Sequence, residues 1–172
     1  MSLKDSVPES KTFHLGKHLM NMQKKDKNDP LLLENQVCFP LYACARRVVN
    51  NYAGLLKDSG LTYTQYVTMM VMWEHEKITV KDLGAKLYLD SGTLTPVIKK
   101  LCSLGHIKKY RDESDERVVI VEITPLGRQL KEKVKDIPQK ICCRISENKQ
   151  GFSMEDAKQL KVLLLKLLSN VD

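Results

Sequence analysis

The sequence predicts a mostly α-helical chain, a winged helix-turn-helix with N- and C-terminal helices packed outside it. Three observations predict this. Three helical segments, each with a start signal, follow one another between Thr62 and Leu101. Two short β-type runs come next, Ile107 to Tyr110 and Val118 to Ile123, on either side of the charged stretch Arg111-Asp112-Glu113-Ser114-Asp115-Glu116-Arg117. Helical apolar patterns then stand on both sides of that unit. At 172 residues, 42% hydrophobic and 28% charged, the chain can bury a full single-domain core.

Residues 1–29 are polar, lysine-rich and without sustained periodicity, which predicts a flexible extension before a single domain over 30–172. His14 and His18 have helical metal-ligand spacing but no third ligand nearby, so they read as surface histidines. Asp29-Pro30 predicts the start of the first helix, a cap residue followed by a first-turn proline. Leu33, Val37, Leu41, Val48, Tyr52 and Leu55 carry that helix to about Lys57, and Ser59-Gly60 stops it. Its apolar residues occupy more than one face, as in helices that pair between subunits.

Thr62 and Gln65 have capping-box spacing ahead of the apolar stretch Val67 to Trp73. Thr79 caps a short third helix through Leu83 and Leu87. Ser91 is the expected cap of the next, whose Leu94, Val97, Ile98 and Leu101 form one apolar stripe. Thr93, Thr95, Lys99 and Lys100 occupy its opposite face, and Pro96 lies near the first turn, where proline costs least. After the hairpin, Thr124-Pro125 opens a further helix, which Pro138 kinks or breaks. Ser153 caps the last helix, where Leu160, Leu163, Leu164, Leu167 and Leu168 form a stripe. The expected winged unit is therefore about 62–124, with dimerisation helices over about 30–58 and 125–172. No internal repeat or low-complexity segment is visible.

No apolar run approaches the roughly 20 residues of a membrane span, and no apolar segment follows the opening Met1-Ser2-Leu3-Lys4-Asp5 as in a secretory signal. The expected location is the cytoplasm, without membrane contact. A formal charge of +7 favours polyanions, nucleic acid foremost. The five cysteines are odd in number and include no Cys-x-x-Cys pair, which argues against zinc and thioredoxin-type sites. No metal or cofactor is expected. In a reducing cytosol the thiols stay free, and a free cysteine commonly acts as a small buried hydrophobe.

The last of the three central helices has the position of a recognition helix. Small hydroxyls and lysines on its exposed side suit base edges and phosphates in a major groove. Arg117, near the hairpin tip, suits an adjacent minor groove, with Asp115 placed to orient its guanidinium. The plain alternative is a solvated charged turn. Terminal helices folding together would make a homodimer, setting two recognition helices about one turn apart on a pseudo-palindromic duplex operator.

Several segments carry a resemblance. Leu-Glu-Asn-Gln-Val-Cys-Phe-Pro-Leu-Tyr (33–42), Leu-Thr-Tyr-Thr-Gln-Tyr (61–66), Trp-Glu-His-Glu (73–76), Leu-Tyr-Leu-Asp-Ser-Gly-Thr-Leu-Thr-Pro (87–96) and Asp-Glu-Arg (115–117) resemble the organic-hydroperoxide repressors of the MarR family, the OhrR-like proteins. The likeness runs from about Leu32 to near the C-terminus. Asp-Glu-Arg is general to MarR-like proteins; the Asn-Gln-x-Cys-Phe and Leu-Asp-Ser-Gly-Thr-Leu-Thr-Pro segments are more specific to the hydroperoxide sensors. The resemblance implies a MarR-like winged helix, a homodimer and a repressor rather than an enzyme. It implies that Cys38 is the peroxide-reactive thiol and that Tyr42 and Tyr52 of the other subunit hydrogen-bond to it, with Tyr63 near the pocket. It places operator contacts at Ser91, Thr93, Thr95, Lys99 and Arg117. In two-cysteine members a fifth-helix cysteine of the partner condenses with the sulfenate, which implies Cys143 or Cys142, Cys143 being favoured; one-cysteine members use a small cellular thiol.

A thiol attacks peroxide as thiolate, so Cys38 needs something that favours the anion. Two or more turns inside the expected helix, it would gain little from the helix dipole, and tyrosine hydroxyl donors would serve better. Phe39 and Leu41 would line a pocket for the organic tail, and attack would give a sulfenic acid. Cys44 and Cys102 are expected to be structural. Three other functions fit the same composition. One is a MarR-like repressor gated by a small aromatic ligand. Another is a thiol peroxidase, against which stand the order of elements and the lack of an arginine motif beside Cys38. The third is an interaction protein using its terminal helices.

Overall fold

The computed structural model describes residues 29–146 and 151–171. The expected extension lies outside the described residues except for Asp29, and so do His14 and His18. The chain divides into two compact units, Met1–Ala43 and Cys44–Asp172. The helices are α1 (Cys38–Leu56), α2 (Tyr63–His75), α3 (Val80–Leu87), α4 (Ser91–Ser103), α5 (Pro125–Val134), α6 (Ile137–Ser146) and α7 (Met154–Leu168). The strands are β1 (Lys77–Thr79), β2 (Ile107–Arg111) and β3 (Val119–Ile123). No described helix is long and apolar enough to cross a membrane.

The first helix does not open at Asp29-Pro30. Asp29 Oδ1 accepts the Leu31 amide at 2.8 Å, and a single 3-10 turn, Leu33–Asn35, follows. Asn35 Nδ2 donates to the Asp29 carbonyl at 2.9 Å and the Gln36 amide side chain to the Pro30 carbonyl, closing the segment on itself. Gln36 is extended, and α1 starts at Cys38. Pro40 is the physical reason. A helix from residue 30 would hold it in the interior, costing about 3 kcal/mol through a lost hydrogen bond and a ring clash. In the first turn of α1 its missing N–H is no loss. Leu33 and Val37 therefore precede the helix, and both are exposed.

In the second unit the end of α1 is anchored by Leu56, fully buried. A 3-10 turn and Gly60, with φ +68°, then stop the chain where Ser59-Gly60 was expected to. The capping box at the head of α2 is present: Thr62 Oγ1 accepts the Gln65 amide at 3.3 Å, and Gln65 Oε1 accepts the Thr62 amide at 2.9 Å. Thr79 caps α3 by accepting the Asp82 amide at 3.0 Å. The cap of α4 is Asp90, one residue before the expected Ser91. A carboxylate is the stronger acceptor, and Asp90 Oδ1 takes the Thr93 amide at 2.8 Å. Pro96 is the sixth residue of α4, so the Gly92 carbonyl loses its helical donor.

The expected two-stranded hairpin is the larger part of a three-stranded antiparallel sheet ordered β1-β3-β2. Arg111 pairs with Val119 and Ile107 with Ile123; on the other side of β3, Lys77 pairs with Glu122 and Ile78 with Val121. Lys-Ile-Thr is too short to show a period of two, so β1 exists through its pairing with the distant β3. Beneath the sheet, Leu94, Ile98 and Leu101 of α4 meet Met69 and Met72 of α2, Leu83 of α3 and Val121 of β3 in one core. α5 is fastened to it at two points. Thr124 Oγ1 donates to the Gly105 carbonyl at 2.6 Å, and Trp73 Nε1 donates to the Gly127 carbonyl at 2.8 Å. A Cβ at Gly127 would lie 2.1 Å from the His106 carbonyl oxygen, so only glycine permits this approach.

α5 ends at Val134 and α6 begins at Ile137, so Pro138 marks a break, as expected. Ser153 caps α7, forming a capping box with Asp156. Among the described residues the α7 stripe stays uncovered: Leu160, Leu163, Leu164 and Leu167 are exposed, Leu163 at 63%.

Candidate nucleic-acid interface and thiol site

The buried stripe of α4 turns its other face outward, and Ser91, Thr93, Thr95, Lys99 and Lys100 are all exposed. Two of the hydroxyls are already engaged. Thr93 Oγ1 donates to Asp90 Oδ2 at 2.9 Å, and Thr95 Oγ1 donates to the Ser91 carbonyl at 2.6 Å. Hydrogen bonds from the Thr93 amide and hydroxyl hold the Asp90 carboxyl below its usual range, so it is an anionic cap.

Beyond the sheet the wing turns tightly. Asp112 Oδ1 accepts the Ser114 amide at 2.8 Å, Asp115 Oδ1 accepts the Arg117 amide at 2.9 Å, and the Asp115 carbonyl accepts the Val118 amide at 2.9 Å. Asp115 thus fixes the backbone of Arg117. The expected contact with the Arg117 guanidinium is absent among the described residues, because the two-residue separation closes a side-chain-to-backbone turn first.

Arg117 lines the same groove as Ser91 and Thr95, a space of about 730 Å³ between α3, α4 and the wing. Lys81 and Lys109 line it too, two cations that the sequence pattern did not single out. Alternation along β2 was the available signal. Lys108 sits at 3.1 Å from Glu122, whereas Lys109, on the other face, takes part in no ion pair among the described residues. The groove therefore carries three cations and one carboxylate, Asp82, which accepts the Thr79 hydroxyl, over an apolar floor that includes Leu94 and Ile98.

In the first unit, Cys38 is the opening residue of α1 rather than an interior one, and it is exposed. Its Sγ lies 4.0 Å from Gln36 Oε1. The helix dipole and the first-turn amides, which lack acceptors inside the helix, favour negative charge at this end. Tyr42 belongs to the same unit and is exposed.

The second unit holds the other residues expected near the thiol. The Tyr52 ring centroid is 4.8 Å from that of Tyr63 and 5.9 Å from that of Tyr66, and Tyr66 stands edge-on to Trp73 at 6.3 Å. Burial, and then the neighbouring Tyr63, Tyr66 and Cys142, push the Tyr52 hydroxyl above its ordinary value. Tyr66, buried at 3% exposure, is the member of this cluster that its sequence position hid. The two adjacent cysteines differ. Cys142 is half-buried, with Sγ 3.4 Å from Met154 Sδ. Cys143 is exposed in a cleft of about 530 Å³ that it shares with Lys140 and Arg144. Cys102 is half-buried, and burial pushes its thiol up, as expected of a packed cysteine. Cys44, also expected to be structural, is exposed. No cluster of three His, Cys, Asp or Glu suited to a metal occurs among the described residues.

Comparison with known proteins places this geometry in a family. Residues 51–137 match the family model described as transcriptional regulator SarA/Rot. The chain is 46% identical over 147 residues to the organic hydroperoxide resistance transcriptional regulator of Bacillus subtilis (strain 168), covering 86% of this chain and 97% of that one. It is 34% identical over 143 residues to the transcriptional regulator SarZ of Staphylococcus saprophyticus, covering 83% and 92%. AbfR of Staphylococcus epidermidis is a structural relative. Its reduced, DNA-bound form superposes with a TM-score of 0.63 at 31% identity, covering 81% of this chain and 95% of that one. Its disulfide form gives 0.54 at 30% identity, covering 81% and 89%. With the winged helix in place and relatives matched over nearly their whole length, the chain belongs to the MarR/SarZ/OhrR family of transcriptional regulators.

Proposed function

We propose that this chain is a homodimeric, DNA-binding transcriptional regulator that senses organic hydroperoxides through Cys38 and releases a pseudo-palindromic operator when that thiol is oxidised. The observation that carries the proposal is the exposed Cys38 thiol on the first residue of α1, the end of a helix that favours an anion. The hydroperoxide-resistance regulator of Bacillus subtilis and the DNA-bound and disulfide forms of AbfR support it by likeness.

The chemistry is a displacement at oxygen. The Cys38 thiolate attacks one peroxide oxygen; the S–O bond forms, the O–O bond breaks, and the alkoxide leaves and takes up a proton as the alcohol. Tyr42, Tyr52 and Tyr63 supply hydroxyl donors around the thiolate in the dimer. Cys143 of the partner subunit then attacks the sulfenic sulfur, forming a disulfide and releasing water. Its exposure in an open cleft favours it over Cys142, which is half-buried against Met154. The uncovered apolar stripe of α7 supports the dimer. In each half, α4 enters a major groove, Ser91, Lys99 and Lys100 meet phosphates, and Arg117, on a turn held by Asp115, meets the neighbouring minor groove. A disulfide across the dimer moves the two α4 helices off half-site spacing.

The test is binding to the inverted repeat beside the chain's own gene, before and after tert-butyl hydroperoxide, with wild type and Cys38→Ser. Release of the wild type alone is expected. If both variants bind and neither responds, the peroxide function fails. The 730 Å³ groove then favours a second reading, a regulator gated by a small aromatic ligand.

A further inference from the structure

We infer that Thr93 and Thr95 read A·T base pairs, each through its methyl group and an oxygen that can only accept a hydrogen bond. This rests on the proposed entry of α4 into the major groove and adds to it the kind of base pair that two of its residues select.

A threonine hydroxyl has one proton and two acceptor lone pairs. Both protons here are committed inside the protein. Thr95 Oγ1 donates to the Ser91 carbonyl at 2.6 Å, a partner that can only accept. Thr93 Oγ1 donates to Asp90 Oδ2 at 2.9 Å, while Asp90 Oδ1 is tied to the Thr93 amide at 2.8 Å. These bonds also orient the side chains, so each presents a methyl group and a lone pair from an exposed position on α4.

A side chain in that state is a poor partner for phosphate, which offers only acceptors. The same holds for guanine, whose major-groove edge is N7 and O6, both acceptors. An A·T pair offers what it lacks: the adenine N6 amino group as donor and the thymine C5 methyl as apolar surface. A G·C pair offers a cytosine amino donor but no methyl; each pair carries one amino donor and two acceptors, so the methyl is what separates them. Thr95 shares its side of the helix with Lys99, one turn on, so cation and methyl reader lie adjacent. Lys99 and Lys100, all donors, are left to phosphates.

The test uses duplexes of 30 base pairs selected from a random library by the wild-type reduced protein, with each thymine of the selected half-site replaced singly by deoxyuridine, which lacks only the methyl. One or two replacements per half-site should weaken wild-type binding about threefold to fivefold, the worth of one apolar methyl contact. That sensitivity should vanish at one position in Thr93→Ser or Thr95→Ser, which keep the hydroxyl and lose the methyl. It should persist in Thr95→Val, which keeps a methyl and loses the oxygen. Sequence-specific binding with no uracil-sensitive position overturns the inference alone, as does sensitivity unchanged in both serine variants. Failure of the wild type to select any duplex overturns the DNA-binding proposal and this inference with it.

Discussion

The winged unit and the last helix bury their apolar residues differently. From α2 to β3, leucines, methionines and isoleucines of adjacent elements close over one another within the chain; Leu83, Leu101 and Val121 are fully buried. In α7 the same residue type, at the same helical spacing, leaves Leu163 and Val162 about two-thirds exposed. Both patterns are amphipathic, and both helices are well capped, by Asp90 and by Ser153 with Asp156. The difference lies in what faces them. α4 has a sheet and two helices to pack on, whereas the α7 stripe has no equivalent cover among the described residues. Amphipathicity therefore states that a face needs covering, and only the assembled fold shows which faces one chain covers.

The largest effect that sharpens this comparison is all-or-none. With peroxide, wild type and Cys142→Ser should give a covalent dimer on a non-reducing gel, and Cys143→Ser should give none. A covalent dimer from Cys143→Ser would move the resolving role to another thiol. Stability separates the two regions next. Leu101→Ala, in the filled core, should cost about 2–5 kcal/mol in urea unfolding. That cost should not change with protein concentration. Leu163→Ala should act through association, so its midpoint shift should depend on concentration. A concentration-independent shift would mean that α7 is covered within its own subunit.

The smallest effect lies at the edge of the winged unit, where α5 meets it. Arg128 of α5 reaches back to Glu76, at the end of α2, with bonds of 3.0 and 3.3 Å. The hydrogen bond from Arg128, and then its charge, hold the Glu76 carboxyl below its usual range. A depressed folded value stabilises above the unfolded carboxylate pKa of about 4.3, and that contribution is lost as pH falls through the folded value. Glu76→Gln should therefore lower the urea midpoint slightly at pH 7, and the gap should close in more acidic solution. A gap that does not narrow as the solution is made more acidic would assign the effect to something other than the ion pair. Both groups are exposed, so the shift is small.

Much of the fold was legible because its signals are local. Thr62, Thr79, Thr124 and Ser153 all cap the helices their spacing predicts, since a cap reaches only three residues along the chain. The errors came where two local signals competed. Asp29-Pro30 looks like a helix start, but Pro40 forbids a helix running through it, and the second signal decides where α1 begins. The same proline turns Cys38 from an interior residue of the expected helix into its first, which reverses the electrostatic argument about that thiol. Asp115 was matched to the right neighbour and the wrong atom, the Arg117 amide.

By itself the sequence determined the starts of α2, α3, α5 and α7, the buried stripe of α4, the charged wing and the residue types available for nucleic acid and peroxide chemistry, because propensity, capping and periodicity act over a few residues. Tertiary structure alone decided the rest. β1 forms only against β3, 41 to 45 positions further on. Lys81, Lys109 and Arg117 share a groove only because the sheet carries β2 and the wing beside α3 and α4. Cys142 and Cys143 become unlike because the fold sets one beside the Met154 sulfur and Tyr52 and the other in the cleft with Lys140 and Arg144. Each of these depends on atoms distant in sequence meeting within a few ångströms, and no local pattern encodes that.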